Sequence, residues 1–299
     1  MNAEFSKYAI YASDVKKSFG GEHILRGANL RVEPGKVAGL LGRSGEGKTT
    51  LIKILLDITA PDAGEAGAAG IAADGRGKVR LAAGYVPERP VFHSFMKAED
   101  IFKFRAGLFP SWDEQKAQTL AKQLELSPNR AAASASKGEL AKIAWICAAA
   151  HNPKVFIMDE PTSGLDALIR EEVLARMIEE LQSEGKSFLV ASHRLEDMAA
   201  LLDEIWLLSD GMTTRYDARE LASRAKRVTG RLKAGVTMPE IKGLFKLQAE
   251  PPLGDFAAFD AKTLASLRDA GVFEDAREES LPFEKTLSLL LTLRGGEAV

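Results

Sequence analysis

Between Lys36 and Gly42 the chain reads KVAGLLG, a short apolar run closed by glycine, which predicts a buried strand. TTLIKILLDI follows, and its Leu51, Ile52, Leu55, Leu56 and Ile58 recur at the spacing that gives a helix a broad apolar face. The same change of period returns farther on. KVFIMDEP predicts a second buried strand, ending in two carboxylates and a proline. LIREEVLARMIEELQSEG predicts a helix with Leu168, Ile169, Val173, Leu174, Met177, Ile178 and Leu181 on one side and Gly185 as its stop. SFLVASH and EIWLLSDG predict two more strands. Strands that alternate with helices imply right-handed crossovers and a largely parallel sheet.

Three stretches have another texture. KSFGGEHILRGANLRVEPGK alternates in short runs broken by Gly-Gly and Pro-Gly, which predicts an antiparallel β part. AGEAGAAGIAADGRGK, Ala63 to Lys78, reads as a turn-rich portion of the same sheet. Residues 93–150 read as helical: Trp112-Asp113-Glu114 opens DEQKAQTLAKQLEL, Ser127-Pro128 stops it, and GELAKIAWICAAA makes another helix. Past residue 215 the pattern weakens. RVTGRLKAGV alternates faintly, DAKTLASLRDAG and LPFEKTLSLLLTL predict helices, and this tail carries no chemical motif. There is no internal repeat and no heptad run long enough for a coiled coil.

Composition narrows the setting. The 299 residues are 45% hydrophobic and 27% charged, with a net charge of −2, which suits a globular chain of one or two domains and argues against a nucleic-acid binder. A single cysteine, Cys147, allows no disulfide within the chain and fits a reducing cytoplasm. The first twenty residues carry Glu4 and Asp14 and no apolar segment, unlike a signal peptide. Nowhere do 18 apolar residues run together, so the chain is not expected to span a membrane by itself.

Chemistry concentrates where the apolar pattern breaks. Gly42-Arg43-Ser44-Gly45-Glu46-Gly47-Lys48-Thr49 fits the phosphate-loop pattern G-x-x-x-x-G-K-[ST] between a predicted strand and a predicted helix. Glycines let the backbone wrap phosphate oxygens with its N–H groups, and the helix turns its positive end to the same anion. Lys48 adds a mobile cation for the β- and γ-phosphates, and Thr49, followed by Thr50, offers a hydroxyl to Mg2+. Asp159 and Glu160 stand at the end of a buried strand, where ligands of open α/β sheets collect. Asp159 suits magnesium, directly or through water, and Glu160 suits orienting or deprotonating an attacking water. Ser136 and Glu139 form an S-x-x-E capping box with Gly138 between them. His193 follows the third strand and points to a γ-phosphate contact; a solvated strand-end histidine is the plainer alternative.

Taken in order, these pieces over residues 5–215 resemble the ATP-binding subunit of an ABC transporter. GRSGEGKTT is similar to its Walker A segment, VFIMDEP to Walker B, SKGEL to the signature, SGLD to the D-loop, ASH to the switch histidine and YVPERP to the Q-loop. The resemblance implies an α/β fold, a P-loop NTPase ABC cassette with a parallel sheet core, an antiparallel β part and a helical subdomain at about 93–150. The cassette would occupy 1–215, with a small C-terminal α+β accessory region over 216–299. It implies a head-to-tail dimer, homodimeric or with a second ATP-binding subunit, closed on two ATP molecules with Mg2+. Ser136 and Gly138 would meet the γ-phosphate held by the partner's Lys48, Glu160 would be the catalytic base, His193 the γ-phosphate contact, and Asp166 a link between the two sites. Phe19 matches the aromatic position that stacks on adenine, with Tyr11 as its rival. A separate integral membrane subunit would dock on Glu88–Phe104, with Phe92, Phe95 and Met96 as candidate contacts. The chain would then lie in the cytoplasm, peripheral on the inner face of the cell membrane, with no nucleic acid as partner.

The chain departs from the family pattern in places. Glu88 replaces the Q-loop glutamine and can ligate magnesium but cannot donate a hydrogen bond when ionised. Lys137 and Glu139 alter the signature, and Glu46 stands where a small loop residue is usual. LFPSWDEQKAQTLAKQLEL with SKGELAKIA is similar to a branch of bacterial exporters in which WD opens the helix before an SKG signature, and the ending ESLPFEKTLSLLLTL to the tail helix of ABC-2-type export ATPases. The resemblance therefore implies a motor subunit for export. Two other functions stay open on sequence alone: a soluble ABC ATPase acting on DNA or the ribosome, and a nucleotide-gated binding module with little turnover.

Overall fold

A glycine pair starts the fold. In the computed structural model, which describes residues 7–182, 185–193, 195–234, 241, 243–250 and 253–292, β1 (Ile10–Phe19) and β2 (Glu22–Val32) pair antiparallel around Gly20-Gly21. Both glycines take positive φ, as a two-residue hairpin loop requires. Glu4, the Gly235-Val236 end of the weakly alternating run, and Leu293 lie outside the described residues. β3 (Val37–Leu41), buried throughout, enters a second sheet, and α1 (Lys48–Leu55) leaves its far end. The Ala/Gly-rich run returns to the first sheet as β4 (Ala63–Ala68), antiparallel to β1 and to the short β5 (Ile71–Ala72). One turn of helix, α2 (Val79–Ala82), leads into β6 (Ala83–Val86).

The helical region expected at 93–150 contains α3 (Ala98–Leu108), α4 (Glu114–Gln123) and α5 (Lys137–Ala149). The chain then resumes the sheet with β7 (Val155–Asp159), α6 (Ala167–Gln182), β8 (Ser187–Ser192), β9 (Glu204–Ser209) and β10 (Met212–Asp217). The strand order is β10-β9-β3-β8-β7-β6, parallel except for β10. β3 therefore lies between β8 and β9, so the chain reverses its winding there. In open α/β sheets such a point carries the ligand crevice, at the carboxyl ends of the strands.

Two cores cover this sheet. α1 and the antiparallel part close one face through Leu51, Ile52, Leu55, Leu40, Ile157 and Leu189. α5 and α6 close the other, where Trp145, Phe156 and Phe188 stack with centroids 5.5 and 4.7 Å apart. Two ion pairs brace the helical region to α6: Lys116 to Glu180 at 2.6 Å and Lys142 to Glu172 at 2.8 Å. Gly39 in β3 is forced by closeness: an added Cβ would lie 2.5 Å from Leu195 Cδ1, in the segment just beyond β8. His151 is 2% exposed, lies 4.4 Å from the Phe109 ring centroid and has no partner at Nε2. Burial, then Arg105 and Lys116, push its pKa down to about 4.

Past β10, α7 (Ala218–Arg224) leads to β11 (Lys226–Leu232), β12 (Leu244–Glu250), β13 (Leu253–Ala258), α8 (Ala261–Asp269), β14 (Phe273–Ser280) and α9 (Phe283–Leu290). These strands form an antiparallel sheet in the order β12-β13-β11-β14, with Leu264 and Leu267 of α8 packed on Val228 and Ala258. The faint alternation of RVTGRLKAGV (227–236) overlaps β11 over 227–232, and both tail helices are where the sequence pattern puts them, whereas β10, β12, β13 and β14 carry no readable period. β14 shows why: as an edge strand exposed at every position after Phe273, it has no apolar face to reveal. α9 packs on the 3-10 turn Glu196–Leu201, and its Leu287 and Leu290 are fully buried. Among the described residues no helix is long and apolar enough to cross a membrane.

Candidate active site

The carboxyl ends of β3, β7 and β8 open into a cleft of about 490 Å3 lined by Phe19, Lys48, Thr49, Glu88, Glu160 and His193, with Ile24, Ser44, Gly45, Gly47, Thr50, Asp159 and Ser163 completing its wall. The phosphate-loop glycines take the conformations that make this possible. Gly45 and Gly47 have φ of 89° and 100°, and a Cβ on Gly47 would sit 2.8 Å from Ile24 Cγ2, so the β1–β2 hairpin presses directly on the loop. Lys48 is only 6% exposed. Its Nζ donates to the Gly42 carbonyl at 2.7 Å and the Arg43 carbonyl at 3.2 Å, and lies 3.5 Å from Glu160 Oε1.

Glu160 is the most constrained residue here. It has φ of 47°, and its N–H donates to the Ala191 carbonyl of β8 at 2.8 Å. A non-glycine residue in this region carries local strain, which functional sites often retain. Its carboxylate is gripped by β8: Ser192 Oγ donates to Oε2 at 2.9 Å, His193 N–H to Oε1 at 3.0 Å, and His193 Nδ1 lies 2.9 Å from Oε1. The carboxylate is thus fixed at the mouth, with the imidazole beside it.

Asp159 is 1% exposed and its Oδ1 has no hydrogen-bond partner. Burial raises its pKa; the Thr49 side-chain hydrogen bond opposes this, and Glu160 and Glu88 raise it further. An orphaned carboxylate oxygen beside a threonine hydroxyl fits a hard divalent cation. Among the described residues no group of three or more His, Cys, Asp or Glu side chains could hold a metal. Magnesium needs none, since it keeps waters and takes phosphate oxygens with one or two protein ligands.

Other predicted residues lie elsewhere. Tyr11 is 3% exposed inside β1, whereas Phe19 is 52% exposed, lines the cleft and has Lys17 Nζ 5.3 Å from its ring centroid. Glu46 is not part of the cleft wall; its Oε2 accepts the Asp210 N–H at 2.9 Å, so the carboxylate is turned toward the β9–β10 turn rather than inward. Ser136, Gly138 and Asp166 also lie outside the wall. Ser136 Oγ accepts the Glu139 N–H at 3.2 Å while Glu139 Oε2 accepts the Ser136 N–H at 2.8 Å, a complete capping box at the head of α5. A Cβ on Gly138 would meet Ile169 Cγ2 at 3.0 Å, and Asp166 Oδ1 accepts the Ile169 N–H at 3.0 Å, so both residues position α5 and α6.

The ABC transporter family profile matches residues 25–163. The aliphatic sulfonates import ATP-binding protein SsuB of Pseudomonas fluorescens is 31% identical over 80% of this chain and 87% of its own length. The chain belongs to the ABC transporter ATP-binding proteins. The Nod factor export ATP-binding protein I of Burkholderia lata is also 31% identical, over 77% of this chain and 75% of its own. Among solved structures, an ATP binding subunit of an ABC transporter superposes with a TM-score of 0.65 at 25% identity, over 72% of this chain and 92% of that one. The dimeric cassette MJ0796 shares the fold with a TM-score of 0.63 at 22% identity, over 70% and 99%. The chain is thus an ATP-binding, ATP-hydrolysing subunit, and its motifs sit on a P-loop ABC cassette.

Three wall or grip residues of this ABC ATPase receive no role from the motif reading: Ser192 and Ser163 stand inside the ASH and SGLD segments, and Ile24 lies in no motif. Ser192, the last residue of β8, holds the second oxygen of Glu160, and its signal is only that it precedes His193 at a strand end. Ile24 and Ser163 line the cleft because of the hairpin register and the turn after Glu160. A second cavity of about 410 Å3 lies between the sheet and the helical region, lined by Leu81, Pro90, Phe92, Arg105, Leu108 and Phe109 among others. Of the three residues expected at a membrane subunit, Phe92 lines this groove, Phe95 is 81% exposed against His93, and Met96 packs on the core.

Proposed function

We propose that the cleft binds Mg-ATP with its phosphates in the loop from Gly42 to Thr50 and its adenine against Phe19, and that Glu160 is the base of hydrolysis. The observation that supports this best is the meeting of Lys48, Asp159, Glu160 and His193, from three separate strand ends, on one cleft. The amides and Lys48 hold the triphosphate, and Lys48 exchanges its carbonyl partners for phosphate oxygens. Thr49 and Asp159, with Glu88 nearby, would hold Mg2+, which when bound supplies charge neutralisation on the phosphates. Glu160, held by Ser192 and His193, takes a proton from the attacking water, and His193 contacts the γ-phosphate.

Ser136, Gly138 and Asp166 lie off the cleft of their own chain, which supports a role across a head-to-tail dimer, homodimeric or with a second ATP-binding subunit. The capping box leaves Ser136 at a positive helix end, suited to a phosphate presented by the partner. The groove beside Phe92 is the surface proposed for an integral membrane subunit, which would keep the chain on the inner face of the membrane. Export is the direction proposed, from the likeness of the Trp112–Asp113 helix start and of α9 to export ATPases. Residues 1–215 act in this reading as the motor cassette and 216–299 as its accessory region. The deciding experiment pairs wild type with Glu160→Gln: ATP binding persists, turnover stops, and light scattering detects an ATP-dependent dimer. A Glu160→Gln protein that hydrolyses like wild type removes the carboxylate from the mechanism.

A further inference from the structure

Two long side chains of the phosphate loop turn away from the cleft, and both end on other parts of the molecule. Arg43 Nε donates to the Leu291 carbonyl at 2.7 Å and its Nη2 to the Thr292 carbonyl at 3.3 Å. These are carbonyls at the end of α9, where a helix leaves acceptors unpaired and favours a positive charge. Glu46 accepts the Asp210 N–H at 2.9 Å, in a turn where Asp210 has φ of 50°. Within the loop the backbone has little of its own to hold it. Glu46 N–H reaches the Arg43 carbonyl at 3.3 Å, and Gly45 and Gly47 carry the conformational freedom that such a loop loses on ordering.

We propose that Arg43 and Glu46 are positioning residues that pin the phosphate loop from outside, Glu46 to the β9–β10 turn of the same cassette and Arg43 to α9, so that through Arg43 ATP affinity depends on the C-terminal unit. This rests on the reading that the loop holds the triphosphate. The geometry supplies a direct link. The Arg43 guanidinium caps α9 while its carbonyl lies inside the loop, accepting Lys48 Nζ at 3.2 Å until phosphate oxygens take the ammonium, so one residue fixes the loop backbone to the tail. α9 also packs on the 3-10 turn Glu196–Leu201 that follows His193. The tail helix thus touches the segments behind both the phosphate loop and the histidine. Ordering the loop before ligand arrives removes part of the entropic cost of binding. Linkage then requires the reverse effect: whatever α9 does for ATP affinity, ATP does for the stability of α9.

The test uses the full chain, a fluorescent ATP analogue and hydrogen exchange of residues 283–292 with and without ATP. Arg43→Ala is expected to weaken binding by about three- to tenfold, the size of one ordinary hydrogen bond, since Arg43 acts on ATP only through the loop. The loss falls on KM rather than kcat, and Arg43→Lys, which can still cap carbonyls, recovers part of it. Glu46→Ala weakens binding to a similar degree. Leu290→Ala, on α9 and outside the cleft wall, also weakens binding, and ATP slows exchange in 283–292 of wild type but not of Arg43→Ala. Wild-type affinity in both Arg43→Ala and Leu290→Ala, with exchange in α9 indifferent to ATP, overturns the proposal while leaving the phosphate-loop reading intact. A wild-type chain that takes up no ATP overturns both. If Leu290→Ala does not fold, the Arg43 pair and the wild-type exchange decide the matter.

Discussion

The six-stranded sheet and the C-terminal four-stranded sheet use polar groups in opposite ways. In the C-terminal sheet they satisfy one another. Arg227 makes a bidentate pair with Asp255 at 2.9 and 2.8 Å and reaches Glu279 at 3.1 Å, and Arg268 forks onto Glu278 with two bonds of 2.6 Å. At the carboxyl edge of the larger sheet, Asp159 keeps an orphan oxygen, Lys48 leans on main-chain carbonyls, and Glu160 holds a strained backbone. Polar groups left poised cost stability where they stand, and the surrounding core maintains them. One sheet edge thus leaves its polar groups poised, and the other closes them on one another.

The sharpest test of that contrast is Glu160→Gln. Steady-state ATPase should fall by roughly 10²–10⁴-fold, the range for a general base, while analogue binding survives. Next in size, Lys48→Ala should weaken ATP binding by about one to two decades, since a charge-assisted contact to phosphate is lost. Arg227→Ala, which breaks an equally well-formed contact in the other sheet, should leave ATP affinity within about twofold; an equal loss in both would erase the distinction.

Acid should separate the regions too. The folded pKa of His151, about 4, lies below its ordinary 6.5, so between those values the unfolded chain binds the extra proton. Stability attributable to the neutral buried ring is complete above pH 6.5 and lost as pH falls toward 4, a loss of about 2–3 kcal/mol. Denaturant midpoints of His151→Phe should decline less over that window, and parallel decline in both proteins removes the histidine as the cause. The smallest effect compares two helix caps. Ser136 caps α5 and Asp260 caps α8, where Asp260 Oδ1 accepts the Thr263 N–H at 2.8 Å. Alanine at either should cost about 1 kcal/mol in the melt. Only Ser136→Ala should also lower turnover; equal turnover in the two variants would reduce Ser136 to a cap.

Legibility followed the same divide. The nucleotide-binding strands were readable because each is buried on both faces and must end in a loop that places a few chemical groups, as KVAGLLG and KVFIMDEP do. The helices were readable from their apolar spacing, and the family from the order of the motifs. β12 and β14 were not, because an edge strand held by its neighbour's backbone needs no apolar alternation. Glu46 shows another limit. Its place in the loop motif leaves two orientations open, toward the γ-phosphate or outward, and the choice depends on Asp210, 164 residues away. Ser192 likewise, though part of the ASH segment, showed its hold on Glu160 only once β8 lay beside β7.

Gly39 gives the molecule an unexpected control point. The bare backbone of β3 admits Leu195 so closely that one methyl group there would have to displace its side chain, and Leu195 lies two residues beyond His193. A side chain added in the middle of the sheet would therefore press on Leu195, close in the chain to His193 at the cleft wall.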